Sequence, residues 1–126
     1  MAQGVITKTG REKLCRAHAG DITLPVITQM AFGNGGVDAG GTVIATTGEE
    51  VSLRGELLKK DIDSHTFPVA TTGRYSVRLG KEELADQNIS EMGLFDAEGD
   101  LVAYKTFLPK GKDGDMEFIF DMDEIF

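Results

Sequence analysis

Apolar and polar residues are most clearly ordered from Ile89 to Phe107, where two apolar-rich arms flank Asp96-Ala97-Glu98-Gly99-Asp100. The pattern predicts a β-hairpin. Gly99 supplies the positive φ of a short antiparallel connection, and Asp96 and Asp100 are placed to bond nearby backbone. Alternation predicts Leu101, Ala103 and Phe107 on one face of the second arm, with Val102 and Tyr104 on the other. Both faces are partly apolar, so one is expected to be covered and the other paired or packed. Gly93 interrupts the first arm, a costly choice unless a bulge or a close backbone approach requires it.

Elsewhere the periods are shorter. Thr9 to Ala19 reads as a helix: Thr9 and Glu12 have capping-box spacing, and Gly20 stands where a C-cap belongs. Its apolar arc contains Gly10, Leu14, Cys15, Ala17 and His18, with Glu12, Lys13 and Arg16 opposite. On this arc Cys15 and His18 border the buried face. Val26 to Gly33 predicts a strand, with Met30 and Phe32 pointing one way and Gln29 and Ala31 the other. The glycine-rich stretch from Gly33 to Gly41 predicts turns. Thr47-Gly48-Glu49-Glu50 is placed to cap a short helix carrying Leu53, Leu57 and Leu58, although Lys59 to Asp63 also reads as the start of a strand. Tyr75, Val77 and Leu79 alternate with Arg74, Ser76 and Arg78 in a half-buried strand. Lys81 to Ala85 predicts at most one helical turn, and Lys110 to Asp115 a turn. Met116, Phe118, Phe120 and Met122 alternate with Glu117, Ile119, Asp121 and Asp123 in a last strand. The sum is an α+β domain: an N-terminal helix, a mainly antiparallel sheet of about five strands, and short helical pieces.

Length sets the domain count. The 126 residues make one domain, 1–126, without repeat or internal boundary. No apolar run approaches the roughly 20 residues of a membrane helix. The N-terminus lacks a basic-then-apolar signal layout, and the single cysteine, Cys15, excludes an intramolecular disulfide framework. The expected site of synthesis is the cytoplasm, where the acceptor pattern Asn88-Ile89-Ser90 has no consequence.

A net charge of −8 argues against general nucleic-acid binding. The charge is uneven. Lys8, Arg11, Lys13 and Arg16 make the first helix basic, while Asp113, Asp115, Glu117, Asp121, Asp123 and Glu124 make the C-terminal end acidic.

No catalytic motif or cofactor signature emerges. The Gly33–Gly41 loop lacks the Gly-Lys-Ser/Thr and following helix of a phosphate cradle. His18 and His65 have no metal-ligand spacing with a cysteine, and no serine stands in a nucleophile elbow. The acidic C-terminal end offers oxygen ligands for a divalent cation. It lacks the spacing of a calcium loop, however, and alternation sends Asp121 and Asp123 toward solvent. A small ligand- or divalent-metal-binding protein using that end is the alternative reading.

Three blocks recur in order. Ile6-Thr7-Lys8-Thr9-Gly10-Arg11-Glu12-Lys13-Leu14 opens the chain, Met30-Ala31-Phe32-Gly33-Asn34-Gly35 is the second, and Glu91-Met92-Gly93-Leu94-Phe95-Asp96 with Gly99 and Leu101-Val102-Ala103 comes third. Together they resemble the phage tail-collar fibre family, which forms the baseplate-proximal end of tail fibres in phages and phage-derived tail particles. Residues 46–72 have no detailed counterpart, and the tryptophan that many relatives carry before the hairpin is absent. No shaft or receptor-binding region follows Phe126, so the resemblance implies attachment and assembly rather than host recognition. It also implies a homo-oligomer, a trimer, contacting tail or baseplate proteins. The expected contact sets Lys8, Arg11, Lys13 and Arg16 against Asp121, Asp123 and Glu124, in the same or a neighbouring subunit. Gly93, Asp96 and Gly99 are its expected turn residues.

Overall fold

The computed structural model describes residues 4–126. The chain order is β1 (Val5–Ile6), α1 (Lys8–His18), β2 (Ile27–Gly33), β3 (Glu56–Asp61), β4 (Ser64–Val69), β5 (Thr72–Leu79), β6 (Gln87–Asp96), β7 (Leu101–Lys112) and β8 (Phe118–Ile125). Two antiparallel sheets result, a five-stranded one in the order β1-β7-β6-β2-β3 and a three-stranded one in the order β4-β5-β8. The expected α+β class is therefore corrected. The fold is mainly β, with one helix of 11 residues.

The predicted hairpin is its centre. β6 and β7 pair antiparallel, and Gly99 takes φ +83° in the turn. Asp96 Oδ1 accepts from the Glu98 and Asp100 N–H groups at 3.0 and 3.1 Å. Alternation along β7, however, breaks at its start. Leu94 pairs with Ala103 but Phe95 with Leu101, which leaves Val102 as an extra residue. Such a bulge reverses the facing of every later residue on the strand. Leu101 thus shares a cluster with Tyr104, while Val102 and Ala103 join the other. Gly93 meets the close approach predicted for it: a Cβ there would lie 2.5 Å from Leu101 Cδ1 and 3.2 Å from the Ala103 carbonyl oxygen.

The core lies between the sheets. Met30, Phe32, Met92 and Leu94 of the large sheet pack on Val77, Leu79, Phe120 and Met122 of the small one. The opposite face of the large sheet buries Ala31, Phe95, Leu101 and Tyr104 under Leu53, which comes from the long 34–55 connection. A sheet covered on both faces explains why the hairpin arms carry apolar residues on both sides.

Helix α1 runs Lys8–His18, one residue earlier than expected at each end. Thr7, not Thr9, is the N-cap. Its Oγ1 accepts from the Gly10 N–H at 3.1 Å and donates to the Leu101 carbonyl at 2.7 Å, fixing the helix start to the hairpin. Gly10 is the buried residue of the helix, so the inward face turns toward Lys13, Leu14 and Ala17. Cys15 and His18 are exposed, which corrects their expected place at the edge of the buried face.

The short helical pieces do not form. Glu50 accepts from the Thr47 and Gly48 N–H groups, making a local turn, and Leu57 and Leu58 lie on β3. Pairing with β2 there satisfies backbone that a short helix would leave open. In the 81–85 segment, Leu84 adopts φ 52°, and Asp86 just beyond it adopts φ 62°, both incompatible with a helical turn. β7 also extends through Lys112, moving the predicted turn to residues 113–117, and β8 begins at Phe118 rather than Met116.

Candidate interaction surface

A carboxylate in the middle of an apolar strand organises one side of the domain. Glu91 is fully buried on β6. Its Oε2 accepts from the Gly35 N–H at 2.8 Å and the Gly55 N–H at 2.7 Å. Its Oε1 accepts from the Arg54 N–H at 2.8 Å and the Tyr104 hydroxyl at 2.7 Å. Four donors offset the cost of taking a charge out of water. Burial, then the bond to Glu91, pushes the Tyr104 phenol above its ordinary pKa. Backbone comes close enough to the carboxylate only because glycines flank it: a Cβ on Gly33 would lie 2.5 Å from Glu91 Oε2. The node ties both ends of the 34–55 connection to the central hairpin.

A second node joins helix and hairpin turn. Lys13 Nζ lies 2.6 Å from Asp96, 2.8 Å from Asp100 and 2.9 Å from Glu98. Burial works to lower the ammonium's pKa, but the hydrogen bonds it donates to Asp100, Asp96 and Glu98 outweigh it and hold the pKa above the ordinary lysine value. These three acids are, among the described residues, the cluster whose oxygens stand close enough to share a cation. The lysine ammonium already serves as that cation.

The other expected interface residues separate. Lys8, Arg11 and Arg16 are exposed on α1. Asp123 forms a two-bond pair with Arg74 at 2.8 and 3.1 Å, which lowers its pKa through the hydrogen bond first, and Asp121 accepts from the Ser76 hydroxyl. Within the subunit, then, Lys13 and the acidic end do not meet as a pair.

Glu124 is different. It lines a groove of about 310 Å³ walled by α1, the Leu24–Ile27 segment and the β4–β5–β8 sheet. Leu24, Val26, Phe67 and Phe126 stand exposed around it, at 42, 68, 68 and 62%. Glu124 makes no ion pair among the described residues, and burial raises its carboxyl pKa. The folded protein therefore holds that proton more tightly than the unfolded chain. Stability contributed here is greatest below the ordinary glutamate value and falls as pH rises through the raised one. In dilute protein, Glu124→Gln should raise the thermal midpoint at about pH 7 and change it less near pH 4, where the acid is already largely protonated. A midpoint lowered at neutral pH would contradict this.

The amino-acid pattern alone did not reveal the Glu91 node, the inward Lys13 or the groove. A signal for the first was present: a lone glutamate inside the apolar run Ile89–Phe95, with Gly33, Gly35 and Gly55 to receive it. No family model, curated protein or solved structure matches the chain. No helix of the described residues is long and apolar enough to cross a membrane.

Proposed function

We propose that the chain is a baseplate-proximal fibre or adaptor domain of a phage or phage-derived tail, acting by protein–protein assembly in the tail particle. One observation carries this reading. The three blocks that resemble the tail-collar fibre family, far apart in sequence, meet as one mechanical unit. Thr7, Gly10 and Lys13 of the first block contact Leu101, Val102 and Asp96 of the third. Gly35 of the second is held by Glu91 of the third. A signature that encodes one set of mutual contacts is a signature of architecture, which supports descent from a common building block.

The chemistry points the same way. The burial of Glu91, Asp96 and Lys13 is spent on holding loops and helix in place, while apolar side chains stay exposed at the groove. Contiguous exposed apolar surface marks interaction sites. Self-association into a ring is the expected oligomer, with the exposed Lys8, Arg11 and Arg16 available to steer a partner. Tail particles made by cells lacking this chain should carry baseplates without attached fibres, visible by electron microscopy. Particles with a full set of fibres would contradict the assignment.

A further inference from the structure

Glu124 stands where the pattern of β8 calls for an apolar side chain. Residues directly opposite each other on antiparallel strands share a face. Val77 opposite Phe120 and Tyr75 opposite Met122 therefore point the same way, into the core. The next inward position of β8 is Glu124, and its opposite number, Gly73, has no side chain to offer it. A carboxylate on the inward face of a strand is a local conflict, and such conflicts collect at functional sites. His65, opposite Tyr75 on β4, continues the same face.

Nothing among the described residues answers the charge. Lys13 lines the same groove, but its ammonium is held by Asp96, Asp100 and Glu98. Aromatic rings surround the carboxylate instead. The His65 ring centroid lies 5.7 Å from that of Phe67, edge to face, and 6.1 Å from that of Tyr75. All three rings line the groove with Glu124, and Leu24 and Val26 add aliphatic wall. Aromatic faces attract cations, and a carboxylate shielded from water attracts them more strongly than one in bulk solvent. A volume of about 310 Å³ falls within the range of small-molecule pockets.

We propose that this groove binds a small organic ammonium ion, its cationic head against Glu124 and the rings of Phe67 and Tyr75, and its apolar body against Leu24 and Val26. The chain's net charge of −8 favours such a ligand at longer range. The site stands apart from the assembly reading, and neither depends on the other.

The experiment titrates the full chain with phenethylammonium at neutral pH and low salt, followed by calorimetry and backbone-amide NMR. Saturable binding is expected, with the largest shifts around Tyr75 and Glu124. Phenethyl alcohol, the same shape without the charge, should bind at least about tenfold more weakly, and phenylpropionate more weakly still. Glu124→Gln should cost the ammonium about tenfold in affinity and leave the alcohol unchanged. That variant is expected to be at least as stable as wild type at this pH, so lost binding cannot be put down to unfolding. Phe67→Ala, at an exposed position, should weaken the ammonium about threefold or more. N-acetyl-lysine methylamide, which presents a protein's lysine side chain, should bind less well than phenethylammonium. A tighter fit for the lysine probe would assign the groove to a partner protein and overturn the small-ligand site. Equal affinities for ammonium and alcohol, an unaffected Glu124→Gln, or no saturable binding of phenethylammonium up to about 10 mM would overturn it too.

Discussion

Glu91→Ala is expected to destabilise the fold by about 3–5 kcal/mol, because it orphans several buried donors at once. The Gly35, Arg54 and Gly55 N–H groups and the Tyr104 hydroxyl all point at this carboxylate. The three backbone donors are fixed by chain geometry and cannot turn to another acceptor. Against a typical total of about 5–15 kcal/mol, the loss takes a large share of the stability of a domain. Glu91→Gln should cost less, since the amide keeps one oxygen acceptor but turns an NH₂ toward N–H donors. Tyr104→Phe should cost about 1 kcal/mol, as one hydrogen bond does. Urea denaturation monitored by circular dichroism orders the three variants. An unchanged midpoint for Glu91→Ala would remove the node from the account.

Lys13→Met should cost about 2–4 kcal/mol, the second-largest effect expected. The substitution keeps most of the packing but leaves Asp96, whose side chain is only 1% exposed, without its cation. Glu98 and Asp100 are exposed and lose less by being left to water. Asp96→Asn in the Lys13→Met background should recover part of the loss, because the amide oxygen can still accept from Glu98 and Asp100. The raised lysine pKa sets the sign of the pH dependence. The pair's contribution is complete at neutral pH, persists to the ordinary lysine value near 10.4, and fades as pH climbs further. Equal stability of Lys13→Met and wild type at neutral pH would contradict the pairing.

These two residues mark where the sequence could and could not be read. The hairpin was legible because its determinants are local: Asp96, Gly99 and the flanking apolar arms sit within one stretch and obey turn chemistry. The strands through Val77 and Phe120 were legible because one face of each is buried, and the strand through Phe32 because it is a short apolar run buried on both faces. The helix register was not. A 3.6-residue period assigns Lys13 to the polar side, and only the seating of Gly10 on β7, through Thr7, rotates it inward. The 34–55 connection has no period at all, since it is held by Glu91 from outside its own sequence and anchored by the single buried Leu53 within it. The α+β expectation failed for a related reason. Leu53, Leu57 and Leu58 keep helical spacing, but the open edge of β2 takes the 56–61 stretch as a strand. The groove was beyond reach, because Val26, Phe67 and Glu124 come together only when two sheets and the helix are assembled.

Assembly in a tail particle is the central claim, and antibody labelling of purified particles from the cell that encodes this chain tests it most directly. The account predicts label at the baseplate end of the fibres. Particles that carry no label while the same cells make the chain in quantity would contradict it.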